Sequence, residues 1–134
     1  MVCIYCGNET QVVNSRPQKR LNQIWRRRQC SGCGAVFTTE ESAHLSTSLA
    51  VRRQNGPVSP FSRDKLFLSL LKALGHRTTP VEDAGALTAT IVAQLLQNTP
   101  KAVLDPSDIA KTALETLQRF DTAAAVQYQA YHKD

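Results

Sequence analysis

The chain has 134 residues and a mass of 14.8 kDa, enough for one ordinary domain or two very small ones. It is 42% hydrophobic, 6% aromatic and 20% charged, a globular composition, and it has no run of about 18 apolar residues to cross a membrane. Its formal charge of +5 is crowded at one end: residues 1–56 hold eight Lys/Arg against Glu9, Glu40 and Glu41, while residues 57–134 hold eight of each sign. That asymmetry suggests a nucleic-acid-facing module joined to a neutral one.

The opening text MVCIYCGNET lacks the basic and apolar regions of a secretory leader. With four cysteines in such a chain, the expectation is a cytoplasmic protein whose thiols serve metal or redox chemistry rather than disulfides. Residues 10–15, 24–29 and 35–39 are β-branched or alternating stretches and predict short strands. A polar break at residues 44–47 divides the chain into expected domains 1–45 and 46–134. Beyond it, alternation over residues 48–53 predicts a strand, and Asn55-Gly56 a turn that returns it onto a partner near Val58.

Helical signals then dominate. Ser62 is placed to cap a helix with an apolar stripe of Leu66, Phe67, Leu70, Leu71 and Leu74, stopped at Gly75. Thr79-Pro80-Val81-Glu82 spells a capping box with proline at the first helical position. The helix it opens is expected to bury Leu87, Ile91, Leu95 and Leu96. Asp105-Pro106-Ser107-Asp108 opens a third, with Ile109, Ala113, Leu114 and Leu117 inward, and Asp121 caps a last one bearing Val126, Tyr128 and Tyr131. These stripes are read as core. His76 and His132 have no ligand spacing with any partner and are read as surface residues.

Cys3-x-x-Cys6 and Cys30-x-x-Cys33 are separated by 23 residues, and a glycine follows each pair at Gly7 and Gly34. A two-residue spacer lets one tight turn present two thiolates to one zinc ion. A following glycine can take a positive φ, which turns backbone N–H groups toward the sulfurs. Redox dithiols of thioredoxin type would need a βαβ context, which is missing. Two knuckles leading into strands are the plan of a zinc ribbon. A segment of roughly 40 residues needs such a staple, since its own core is too small to hold it. Four protein ligands leave no open position, so the zinc is expected to be structural. Between the knuckles lie Arg16, Lys19, Arg20, Arg26, Arg27 and Arg28. Guanidinium forks suit phosphates and guanine edges, and a two-stranded ribbon fits a major groove, so this cluster is the candidate DNA contact.

CIYCG, VVNSRP and IWRRRQCSGCGAVFTTEE together resemble the N-terminal zinc ribbon of the NrdR family, bacterial repressors of ribonucleotide reductase genes. Asn14 stands where that family usually has aspartate, and Val36 where it has arginine. The resemblance implies a second domain of ATP-cone type, a small helical module that binds ATP or dATP. The family's V-x-K-R-D-G opening falls on residues 51–56, with Arg53 at the lysine, Gln54 at the arginine and Asn55 at the aspartate; Ser59 replaces a glutamate. Phe61 to Leu66, Asp105 to Ile109 and Phe120 to Tyr131 resemble later cone segments.

The implied fold is α+β: a small β zinc ribbon followed by a mainly helical ATP-cone with an N-terminal β-hairpin. The implied nucleotide residues are Val51, Arg52, Arg53, Gln54, Ser62 and Lys65. The implied partners are promoter DNA, adenine nucleotides and further copies of the chain in a homo-oligomer, with no membrane. The rival reading is an RNA- or protein-binding zinc-ribbon adaptor with a degenerate, non-sensing cone. An enzyme is not expected, because the sequence shows no nucleophile–base pair, two-carboxylate site or open metal site.

Overall fold

A computed structural model describes residues 1–99 and 101–132. The architecture is α+β, in two compact units, Met1–Ala43 and His44 onward. In the first, β1 (Thr10–Gln18), β2 (Gln23–Cys30) and β3 (Val36–Glu41) form an antiparallel sheet in the order β1-β2-β3. The four-residue connection of β1 to β2 closes with Asn22 at φ 50°, a left-handed conformation that asparagine tolerates better than most residues. A bulge between Val12 and Asn14 interrupts the register, which resumes with Asn14 opposite Arg27 and Arg16 opposite Trp25.

The second unit begins with α1 (Leu45–Ser48), β4 (Ala50–Arg52) and β5 (Val58–Pro60), the last two an antiparallel hairpin. It continues through α2 (Arg63–Ala73), α3 (Pro80–Asn98), β6 (Val103–Leu104), α4 (Pro106–Phe120) and α5 (Thr122–Tyr131). The expected strand at 48–53 is shorter because the chain enters it through a helical turn. Thr47 and Ser48 hydroxyls donate to the His44 carbonyl at 2.9 Å each and hold that turn. β6 has no counterpart in the sequence reading; it pairs in parallel with β4, Ala50 opposite Val103 and Val51 opposite Leu104. The Asn55-Gly56 turn forms with Gly56 N–H donating to the Arg53 carbonyl at 3.3 Å.

The helical stripes build one apolar cluster in which Leu70, Leu74, Ile91, Leu104 and Leu117 are fully buried. Ser62 caps α2 by accepting from the Lys65 N–H at 3.2 Å, and Asp121 caps α5 by accepting from Ala124 N–H at 3.1 Å. The Thr79 capping box does not close. Its hydroxyl donates to Asp83 at 3.4 Å instead, and Arg77 Nε holds that same carboxylate at 2.6 Å. Three apolar residues assigned to helix faces are outside the core: Leu96, Val126 and Tyr131 are exposed. α5 buries the small Ala124 and Ala125 with Tyr128. Tyr131 lies under the Lys72 ammonium, 3.8 Å from its ring centre.

Candidate metal centre and nucleic-acid face

The two knuckles are built from tight turns. Gly7 N–H donates to the Cys3 carbonyl at 3.0 Å, and Gly7 and Gly34 take φ of 77° and 72°, the left-handed conformation expected of them. Backbone N–H groups then face sulfur: Tyr5 to Cys3 at 3.4 Å, Gly32 to Cys30 at 3.3 Å and Cys33 to Cys30 at 3.4 Å. The four sulfurs all lie within 4.8 Å of one another, with Cys3–Cys33 at 3.8 Å and Cys6–Cys30 at 3.4 Å. Zn–S bonds of about 2.3 Å in a tetrahedron require sulfurs about 3.8 Å apart, so the site fits one ion. Cys3 and Cys30 are buried with Phe37, while Cys6 and Cys33 are exposed. The first knuckle packs against the second through Asn8 and Gly32, where a methyl on Gly32 would run into the Asn8 side chain.

Cys30 and Cys33 are shifted in opposite directions. The Cys33 N–H, against the opposing effect of burial, and the Gly32 N–H bring Cys30 down to about 6. Cys33 is pushed up to about 11: the Ala35 N–H favours its thiolate, but hydrogen bonding with Cys6, burial, and the Cys30 and Cys3 sulfurs outweigh it. A cluster this tight does not carry four negative charges unaided; a dication bound among the sulfurs supplies the missing positive charge.

Around this centre, the predicted cationic residues divide by environment. Arg26 donates to Glu41 and to Ser15, both at 3.2 Å. Arg28 donates to Thr10 at 3.3 Å, and its Nε is buried without a hydrogen-bond partner among the described residues. Arg16, Lys19, Arg20 and Arg27 are exposed and make no ion pair or side-chain hydrogen bond among the described residues. The Arg26–Glu41 pairing carried no signal in sequence spacing, because it depends on the β2–β3 register.

In the second unit, the residues matched to a nucleotide site occupy the β4–β5 hairpin and the start of α2. Val51 is half buried opposite Ser59, and Arg52 is exposed opposite Val58. Arg53 and Gln54 lie in the exposed turn, and Lys65 is exposed in the first turn of α2 beside Asp64. Among the described residues, Ser62 and Lys65 are the two of this set joined by a side-chain hydrogen bond, through the helix cap. His76 and His132 are exposed but not solitary: His76 Nε2 is 2.9 Å from Asp121 and His132 Nε2 is 2.6 Å from Ser69. The Ala124 N–H, then His76 and Arg77, hold the Asp121 carboxyl well below the usual carboxylate range.

A ribbon closed by four cysteines around one metal position, followed by a helical unit, defines the class: a zinc-ribbon protein with a separate second module. A family model described as "Transcriptional repressor NrdR-like, N-terminal domain" matches residues 1–41. Over its whole length the chain is 33% identical to the transcriptional repressor NrdR of Symbiobacterium thermophilum, covering 88% of that protein. It is 36% identical to that of Rhodospirillum centenum, covering 86% of it, and 35% to that of Maricaulis maris, covering 83%. The chain therefore belongs to the NrdR family of transcriptional repressors, which are regulators and not enzymes.

Proposed function

We propose that the chain is a cytoplasmic repressor of ribonucleotide reductase genes that docks its zinc ribbon on promoter DNA. Its second unit acts as an ATP-cone, binding ATP or dATP and changing the oligomeric arrangement. The observation that carries this reading is the full-length match to NrdR repressors in a chain whose metal-site ribbon exposes Arg16 and Arg27 with no ion pair or side-chain hydrogen bond among the described residues. Zinc serves as a structural ion held by Cys3, Cys6, Cys30 and Cys33, which shape and rigidify the platform for DNA.

For the nucleotide, Arg53 and Lys65 supply the cations that phosphates need, and Val51, Arg52, Gln54 and Ser62 complete the site implied by the family pattern. Gln54 in place of an arginine and Ser59 in place of a glutamate reduce the charge and polarity available. The Lys65 N–H is already held by Ser62. The grip therefore depends on side chains more than on the helix terminus.

The test is mass by light scattering during size-exclusion, run without nucleotide and with ATP or dATP, followed by promoter-DNA binding in each state. The expected result is a change of mass and of DNA affinity with nucleotide. Indifference of both to either nucleotide refutes the sensing function and favours an adaptor with a degenerate cone.

A further inference from the structure

Successive residues of a strand face opposite ways, and residues paired across antiparallel strands share a face. The register therefore sorts the ribbon's arginines. Arg28 shares a face with Val12 and Phe37, and Arg26 with Ser15 and Thr39; this is the face of Cys30 and the metal centre. Both arginines are half buried and bonded within the sheet. The Nε of Arg28 is sealed from solvent.

On the opposite face, Arg16 pairs with Trp25 and Asn14 with Arg27, continued on β3 by Glu40 and Thr38. All six are exposed. Trp25 keeps 38% of its surface open, a large apolar ring displayed to water beside two guanidinium groups that have no ion pair among the described residues. Glu40 is the one acidic group in these rows.

We propose that this outer face, centred on Trp25, Arg16, Arg27 and Asn14, is the side of the ribbon that docks on duplex DNA, while Arg26 and Arg28 hold the sheet together. The proposal rests on the DNA-binding reading above and names its contact surface. Arginine forks and an asparagine amide are the donors that duplex DNA takes on phosphates and base edges. The indole covers sugar or thymine methyl between them and removes its apolar surface from water. Glu40 opposes phosphate and tempers the attraction.

Trp25 is the only tryptophan in the chain, so its emission reports on this face alone. The full-length, zinc-loaded protein is titrated with an unlabelled mixed-sequence duplex in low salt, and affinity is measured in parallel by anisotropy of a labelled one. Binding should shift Trp25 emission and shield it from acrylamide. Arg16→Ala and Arg27→Ala should each weaken binding about tenfold and each reduce the salt slope by about one. Glu40→Gln should tighten it about twofold. Arg26→Ala and Arg28→Ala, compared at matched zinc content and circular dichroism, should stay within about twofold of the parent.

Binding that leaves Trp25 emission and quenching unchanged overturns the proposal. So does a loss confined to the Arg26 and Arg28 variants. Should an outer-face alanine variant fail to retain zinc, Arg27→Gln keeps the side-chain bulk and gives the same readout. If the unsubstituted protein binds no duplex in low salt, the DNA-binding reading falls and the contact face with it.

Discussion

Stripping zinc should unfold the ribbon outright and leave the helical unit standing. Within residues 1–43 the buried cluster consists of Cys3, Cys30 and Phe37, with Ala35 packed against it. Burying Phe37 contributes about 3 kcal/mol at most. Ordering the backbone costs roughly 1 kcal/mol or more for every residue, far beyond what one phenyl ring offsets even with the ladder hydrogen bonds. Structural zinc contributes on the order of 10 kcal/mol or more, so the metal decides whether this unit folds.

The helical unit buries Leu70, Leu74, Ile91, Leu104 and Leu117 completely and needs no ion. Metal analysis should return one zinc per chain. After removal by a strong chelator under reducing conditions, two-dimensional amide spectra should lose the dispersed ribbon resonances but keep the helical ones. Trp25 emission should shift to the red. Zinc-free protein with intact ribbon dispersion and unshifted Trp25 emission would refute this account of what holds the sheet.

Leu117→Ala removes a fully buried side chain of α4 and should lower stability by about 2–5 kcal/mol in urea melts followed at 222 nm; a loss under 1 kcal/mol would place Leu117 outside the core. Ala102 holds φ 56° while its carbonyl accepts from Ala50 N–H at 3.0 Å. Glycine relieves that left-handed strain, so Ala102→Gly should stabilise by about 0.5–1 kcal/mol, and a lowered urea midpoint contradicts the assignment. The carboxyl of Asp121 is held low by the Ala124 N–H first, then by His76 and Arg77. Its stabilising effect is therefore fully present above the ordinary value of 3.8 and is lost as pH falls below it toward the folded-state value. Helical melting temperatures recorded from pH 6 to pH 2.5 should fall less steeply in Asp121→Asn than in the parent; equal slopes would remove Asp121 from the acid response.

The features legible in the sequence are those encoded by local chemistry. Paired cysteines with trailing glycines specify both knuckles, and helical spacing specifies α2 and α4. Ser62 and Asp121 act as the caps their positions suggest. What escaped sequence reading depends on distant partners. β6 is two residues long and exists through its parallel pairing with β4, so it has no periodicity to read. The Thr79 box was a sound local pattern, but the Thr79 hydroxyl donates to Asp83 Oδ2, the atom that Arg77 Nε also holds, and makes no cap bond. On α5 the apolar letters exceed the surface available for burial, and small Ala124 and Ala125 take the close helix contacts while Val126 faces water. In the ribbon, the six cationic candidates look alike as letters. Only the register separates Arg26, tied to Glu41, from Arg27, tied to nothing among the described residues.

The two units owe their order to different forces, and this constrains how the proposed regulation can work. The buried clusters share no residue: metal holds one, apolar packing the other. Under the proposed sensing function, a nucleotide in the helical unit would act through its differential affinity for assemblies that hold the ribbons differently. With Arg26 and Arg28 engaged inside the sheet, a single ribbon docked as proposed would offer Arg16, Arg27 and the hairpin cations Lys19 and Arg20 to DNA, a small set whose affinity salt erodes quickly. Two ribbons held at a fixed spacing turn the second contact into an intramolecular event and raise affinity by about a hundredfold or more without a new contact. An effector needs about 2.8 kcal/mol of preference between assemblies to switch a hundredfold effect. That lies within reach of a few phosphate contacts. On the proposed function, the pairing of ribbons, rather than the chemistry of either one, is then the quantity under control.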